Sequence, residues 1–151
     1  MNANSQKRWT MAALRGISFA MQLEDIDIPI EYLGWWRITE TTTWPREDLD
    51  AIGTALISLT GHDDRLRMLF ILATITCKPT KTGVSFSWQG AWEFDQLTGS
   101  GKVKLGSDGK LKGVFKIKHG DESTFVAERS VEPDEPIPFP PSYRDKWRRR
   151  W

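Results

Sequence analysis

The stretch that most constrains this chain is residues 101–118, GKVKLGSDGKLKGVFKIK. Apolar and polar residues alternate on both sides of Ser107-Asp108-Gly109, the period-2 pattern of a half-buried strand. A two-residue Asp-Gly turn would set Leu105 opposite Lys112 and mix the two faces. A three-residue loop with Gly109 left-handed instead pairs Leu105 with Leu111 and Lys104 with Lys112, so each face is uniform. Gly101 then falls opposite Phe115 and Gly113 opposite Val103, small against large on the inner side. A fold for this chain must hold an antiparallel hairpin with one buried face.

The preceding chain extends that pattern. Asp25 to Tyr32 reads as an extended entry segment that Pro29 confines to an edge or a non-strand. Gly34 to Thr43 is β-branched and aromatic with no helical period, the first strand. Pro45 sits where a helix begins, with Glu47 and Asp48 in its first turn and Gly53 after it. Thr54 to Thr60 is a strand, Gly61 to Asp64 a turn, and Leu66 to Lys78 reads as one long strand. Val84 to Trp88 alternates, and Gly90 to Ser100 reads as a longer connection into the hairpin. If Gly120-Asp121-Glu122 forms the next loop, Ile117 pairs with Phe125 and the last strand runs from Thr124 to Ser130.

That makes seven strands, or eight if the entry segment counts as one. Short turns between successive antiparallel strands point to an all-β, single up-and-down β-barrel with a short helix after strand one, a closure that hides the sheet edges. With 151 residues, one domain is expected. The barrel occupies 24–131. Residues 1–23 form an extension, either an amphipathic helix or a frayed or non-native start. Residues 132–151 form a Pro-rich linker with a basic, aromatic tail.

Charge and cysteine usage narrow the chemistry. Net charge is +1, so bulk electrostatics nominates no partner. The charges are blocky: acidic from Glu24 to Asp50, basic across the hairpin, acidic from Asp121 to Glu135, and basic at the end. Cys77 is the only cysteine, so an intramolecular disulfide and a cysteine-based zinc site are both excluded, and with two histidines no metal is expected. No apolar run reaches the roughly 18 residues of a membrane span, and no signal cleavage site stands out. The expected location is cytoplasmic.

Gly34-Trp35-Trp36 near the start of the first strand resembles the G-x-W signature of calycins, the lipocalin-like barrels. In that superfamily an Arg of the last strand packs across the Trp and closes the base. Arg129 is placed for this role, inward and opposite Gly113 by the register above. The chain also resembles a bacterial family with FSW(E/Q)G and HGD(D/E)S motifs, here Phe86-Ser87-Trp88-Gln89-Gly90 and His119-Gly120-Asp121-Glu122-Ser123. The resemblance spans roughly residues 33–130. It implies a barrel with Gly34, Trp36 and Arg129 as structural residues, and it implies no activity.

Three function classes follow. In the first, the inward set (Ile38, Ile57, Phe70, Val84, Phe86, Trp88, then Val103, Leu105, Phe115, Ile117 and Phe125) lines a cavity. The protein is then a non-enzymatic binding module for a small apolar or amphipathic molecule. Barrels of about eight strands sit where side chains either fill the interior or leave room for one ligand. In the second, the barrel is filled and the outside binds. Leu69, Ile71 and Ile75, on the outer parity of the long strand, would form an apolar strip suited to a homodimer. The Tyr143–Trp151 tail would meet nucleic acid, a membrane or a protein groove, and the lysines of the hairpin an anionic partner. In the third, Glu93, Asp95, His119 and Asp121, with Glu122, converge from two loops for acid–base chemistry; the commoner role of such residues is turn capping and solubility. No nucleophile, phosphate-loop or metal motif appears, so no cofactor is expected.

Overall fold

Alternate residues along each strand turn to one side, and the buried rows close on themselves. The structure, a computed structural model, describes residues 28–140. The strands are β1 (Gly34–Thr41), β2 (Leu56–Leu59), β3 (Asp64–Met68), β4 (Ile71–Pro79), β5 (Val84–Trp92), β6 (Asp95–Leu105), β7 (Leu111–Ile117) and β8 (Glu122–Ser130). Each pairs antiparallel with the next and β8 returns to β1, giving a closed eight-stranded up-and-down barrel. A short helix, α1 (Arg46–Leu49), follows β1. The extension 1–23 and the Tyr143–Trp151 tail lie outside the described residues.

The hairpin of β6 and β7 has the expected register: Leu105 faces Leu111, Lys104 faces Lys112, Gly101 faces Phe115 and Val103 faces Gly113. Gly109 carries the left-handed conformation, φ 81°. The eighth strand comes from elsewhere than the entry segment, where Ile30–Tyr32 is a 3-10 turn. It arises because the stretch read as one strand, Leu66 to Lys78, is a hairpin, β3 and β4, turning at Leu69-Phe70. No glycine, proline or asparagine marks this turn. Leu69 itself takes φ 60°, uncommon for a bulky side chain. Its N–H donates to the Leu49 carbonyl at 2.9 Å and its side chain is buried, which compensates for the strained backbone.

The turn changes the face assignment downstream of it. Met68 is paired with Ile71, so Ile71, Ala73 and Ile75 point inward, and Leu69, Ile71 and Ile75 are core residues rather than an outer strip. Phe70, expected inward, is 43% exposed at the tip of the turn. The stretch Gly90 to Ser100, read as a connection, is also a hairpin. Strands β5 and β6 pair from Val84–Val103 to Trp92–Asp95 across Glu93-Phe94, with Glu93 at φ 57°.

The last hairpin is tighter than expected. Glu122 faces Lys116, so Phe125 rather than Arg129 lies opposite Gly113, and Ile117 does not pair with Phe125. The loop closes early because His119 adopts φ 62° and the Ile117 N–H bonds the Asp121 carbonyl at 2.9 Å. The shift is an even number of residues, so the faces survive it. Arg129 stands opposite Trp36 of β1.

Candidate functional site

The antiparallel registers divide the barrel into two ends. At the base are the starts of β1, β3, β5 and β7; at the mouth are α1 and the turns at Leu69-Phe70, Glu93-Phe94 and 118–121. The base is closed by the G-x-W arrangement. Trp36 is fully buried and its Nε1 donates to the Tyr32 carbonyl at 3.0 Å. The Arg129 guanidinium carbon lies 4.1 Å over the indole, while its N–H groups donate to the carbonyls of Leu33 and Glu31. Gly34 has φ 126°, and a Cβ there would come within 3.0 Å of Arg129 Nη1. The three residues named from the resemblance therefore meet at one place. The closed antiparallel barrel is compatible with a calycin-like fold.

The interior is filled by side chains. Ile38, Ile57, Val84, Phe86, Trp88, Val103, Phe115 and Phe125 are all buried, and Leu105 and Ile117 pack against them half-buried. The inner-face glycines hold rings. A Cβ on Gly101 would sit 2.3 Å from Phe86 Cζ, one on Gly99 2.5 Å from Trp88 Nε1, and one on Gly113 2.8 Å from Phe125. Trp88 and Phe115 stack at 5.0 Å, and Trp88 Nε1 donates to the Lys116 carbonyl at 3.1 Å, so its polar edge is satisfied. Trp44 meets the same Phe115 ring edge-on at 6.3 Å, and Leu49 of α1 is buried. Together Trp44 and Leu49 plug the mouth.

The loop residues proposed for acid–base work open at the same end. Glu93, Asp95, His119 and Asp121 are exposed, and among the described residues no hydrogen bond or ion pair links them. No group of three or more His, Cys, Asp or Glu side chains among the described residues could hold a metal ion. His119 instead borders an open cleft of about 500 Å³ on the outer wall, with Thr74, Gln89, Thr98, Lys118 and Phe139.

Two features are invisible to a reading by alternation. The segment after β8 returns to the barrel: Ile137 is buried and the Phe139 ring lies 3.9 Å from the Arg65 guanidinium carbon. Asp64, the first residue of β3, is buried as a hub. It accepts from Ser58 Oγ at 2.9 Å, Thr60 Oγ1 at 2.7 Å, Gly61 N–H at 2.8 Å and Cys77 Sγ at 3.5 Å. Burial, and then the neighbouring Asp64 charge, push the Cys77 thiol far above its ordinary range. The only signal for the hub was the acidic pair in GHDD between two apolar strands.

A second cleft, about 420 Å³, opens where β6 and β7 meet the turn after β4. It is lined by Thr80, Thr82, Ser85, Lys102, Lys104 and Lys112, together with two valines.

No protein-family model, curated protein or solved structure matches the chain. The fold itself is consistent with a binding module. No helix among the described residues is long and apolar enough to cross a membrane.

Proposed function

We propose that this protein is a non-enzymatic binding module whose barrel is a filled scaffold and whose outer wall makes the contacts. The observation that carries this reading is the occupied interior. The Trp88–Phe115 stack fills the centre, and the space left by the inner-face glycines is taken by Phe86, Trp88 and Phe125. A small apolar molecule inside would have to displace these rings, and core packing at native density resists such displacement. The clefts described above lie on the outer wall.

Native mass spectrometry of protein purified gently from cells tests this. The expected spectrum shows the polypeptide mass alone. A reproducible additional mass of small-molecule size, lost on denaturation, would return the function to a ligand held in the barrel. The same spectrum reports whether two chains associate.

A further inference from the structure

We infer that the outer face of β4, β5 and β6, beside Phe139, binds a neutral saccharide; this rests on the outer-wall reading and names its ligand. Neutrality is a local property of that face. Charged residues make up 27% of the chain, yet residues 71–77 of β4, 84–92 of β5 and 96–101 of β6 include none. Across these strands Thr74 faces Gln89 and Gln89 faces Thr98, while Thr76 faces Ser87 in the next row. Neighbouring strands are about 4.8 Å apart and alternate residues of one strand about 6.6 Å, so these side chains form a grid of hydroxyls around one amide. Thr74 is half-buried and the other four are exposed.

The grid lines a depression, and its polar groups are unused. The cleft of about 500 Å³ described above includes Thr74, Gln89 and Thr98; an overlapping one of about 350 Å³ shares those three and adds Thr76 and Ser87. Both lie in the size range of small-molecule sites. Among the described residues the side chains of Thr76, Ser87, Gln89 and Thr98 make no hydrogen bond, and Thr74 Oγ1 donates only to the Gln89 carbonyl, at 3.3 Å. Hydroxyl and amide groups both donate and accept. A polyol, each of whose hydroxyls also does both, satisfies them. A phosphate or carboxylate ion only accepts and calls for cations, and Lys118 is the one lysine or arginine lining either cleft. An apolar molecule would leave the grid unpaired. A peptide adding as a strand requires a sheet edge, and the closed barrel presents none.

An aromatic wall supplies the second argument. A pyranose carries hydroxyls around its rim and C–H groups on its faces, so it matches polar side chains at the edge and an aromatic ring at a face. Phe139 lines the larger cleft and is 69% exposed. Its position is fixed from two sides. Ile137, two residues earlier, is buried, and the Arg65 guanidinium carbon lies 3.9 Å from the centre of the Phe139 ring. Arg65 stands opposite Thr74 in register, which sets the ring at the border of the grid. The cation takes one face of the ring and the rest of its surface is open. A ring held in place beforehand lowers the ordering cost of binding.

The test is a screen of the labelled full chain on an array of neutral oligosaccharides of glucose, galactose, mannose and N-acetylglucosamine, with sulfated and carboxylated ones beside them. Saturation-transfer NMR then follows with the neutral oligosaccharide that binds best. The expected result is binding of a neutral oligosaccharide, with the strongest transfer to its ring C–H protons. Gln89→Ala and Phe139→Ala should each weaken that binding about tenfold, while Phe139→Tyr keeps it. Both positions are exposed, and an unchanged urea midpoint verifies that the variants fold. Binding of no neutral oligosaccharide, binding confined to the acidic ones, or equal binding by the parent and either alanine variant would each overturn the assignment. A native mass spectrum of the parent separates this failure from that of the wider reading. A bare polypeptide mass beside an array without neutral ligands removes the saccharide and leaves the outer-wall reading standing, whereas a small molecule inside the barrel removes the outer-wall reading.

Discussion

Arg129 closes the base by three interactions made with one side chain: two backbone carbonyls and the Trp36 ring. Its planar fork suits this task and an ammonium does not. Arg129→Ala should cost about 2 kcal/mol, read as a shift in the urea midpoint with an unchanged slope. Arg129→Lys should recover less than half of that. Cys77 makes a prediction in pH. Its pKa is raised in the fold, first by burial, so the fold favours the protonated thiol. That contribution is complete below the ordinary thiol value of about 8.5 and is lost as pH rises towards the folded value. At about pH 10 the protein should have lost about 2 kcal/mol relative to Cys77→Ala, compared with their difference at pH 7. Equal pH profiles for the two proteins would show that the thiol ionises freely. At this scale partners were better foreseen than addresses: Trp36 and Arg129 were expected as a pair from the resemblance, but Phe125, not Arg129, faces Gly113 of β7. Side-chain chemistry is local, whereas the position across a hairpin depends on one turn.

Turns decide the elements. The hairpin at Gly109 follows the usual rule, and Gly109 has open space around it. Gly101 is different, since an added Cβ would strike Phe86 and the Val114 carbonyl. Gly109→Ala should therefore cost about 1 kcal/mol, from the left-handed backbone alone. Gly101→Ala should cost about 1–3 kcal/mol by overpacking. Thermal or urea denaturation of the two variants checks the order, and a reversal would mean the barrel wall yields easily there. The turns at Leu69 and Glu93 were illegible because neither carries a turn residue. Their left-handed backbones are held by what surrounds them, notably the Leu69 N–H bond to Leu49. Leu49→Ala, which lifts the plug and loosens that turn, should cost about 2–4 kcal/mol in the same measurement.

At the scale of the molecule, two facts stand together: a filled interior and an uneven surface. Net charge is only +1, yet exposed lysines gather on β6 and β7. Substituting Trp88→Ala should cost about 3–5 kcal/mol and open room beside Phe115. A cavity-seeking apolar dye that binds the variant and not the parent would confirm that the parent barrel is full.

Alternation along the chain determined by itself that this protein is an antiparallel barrel, which residues face in outside the Leu66 to Lys78 stretch, and how the central hairpin is registered. Those are short-range properties: the period of a strand and the conformational freedom of one glycine. Only the tertiary structure decided that Leu66 to Lys78 folds back on itself, that Phe70 leaves the core, and that Phe125 rather than Arg129 stands opposite Gly113. It also decided that aromatic rings occupy the space the glycines leave. Each of these depends on contacts between distant residues, whose energies no local pattern records.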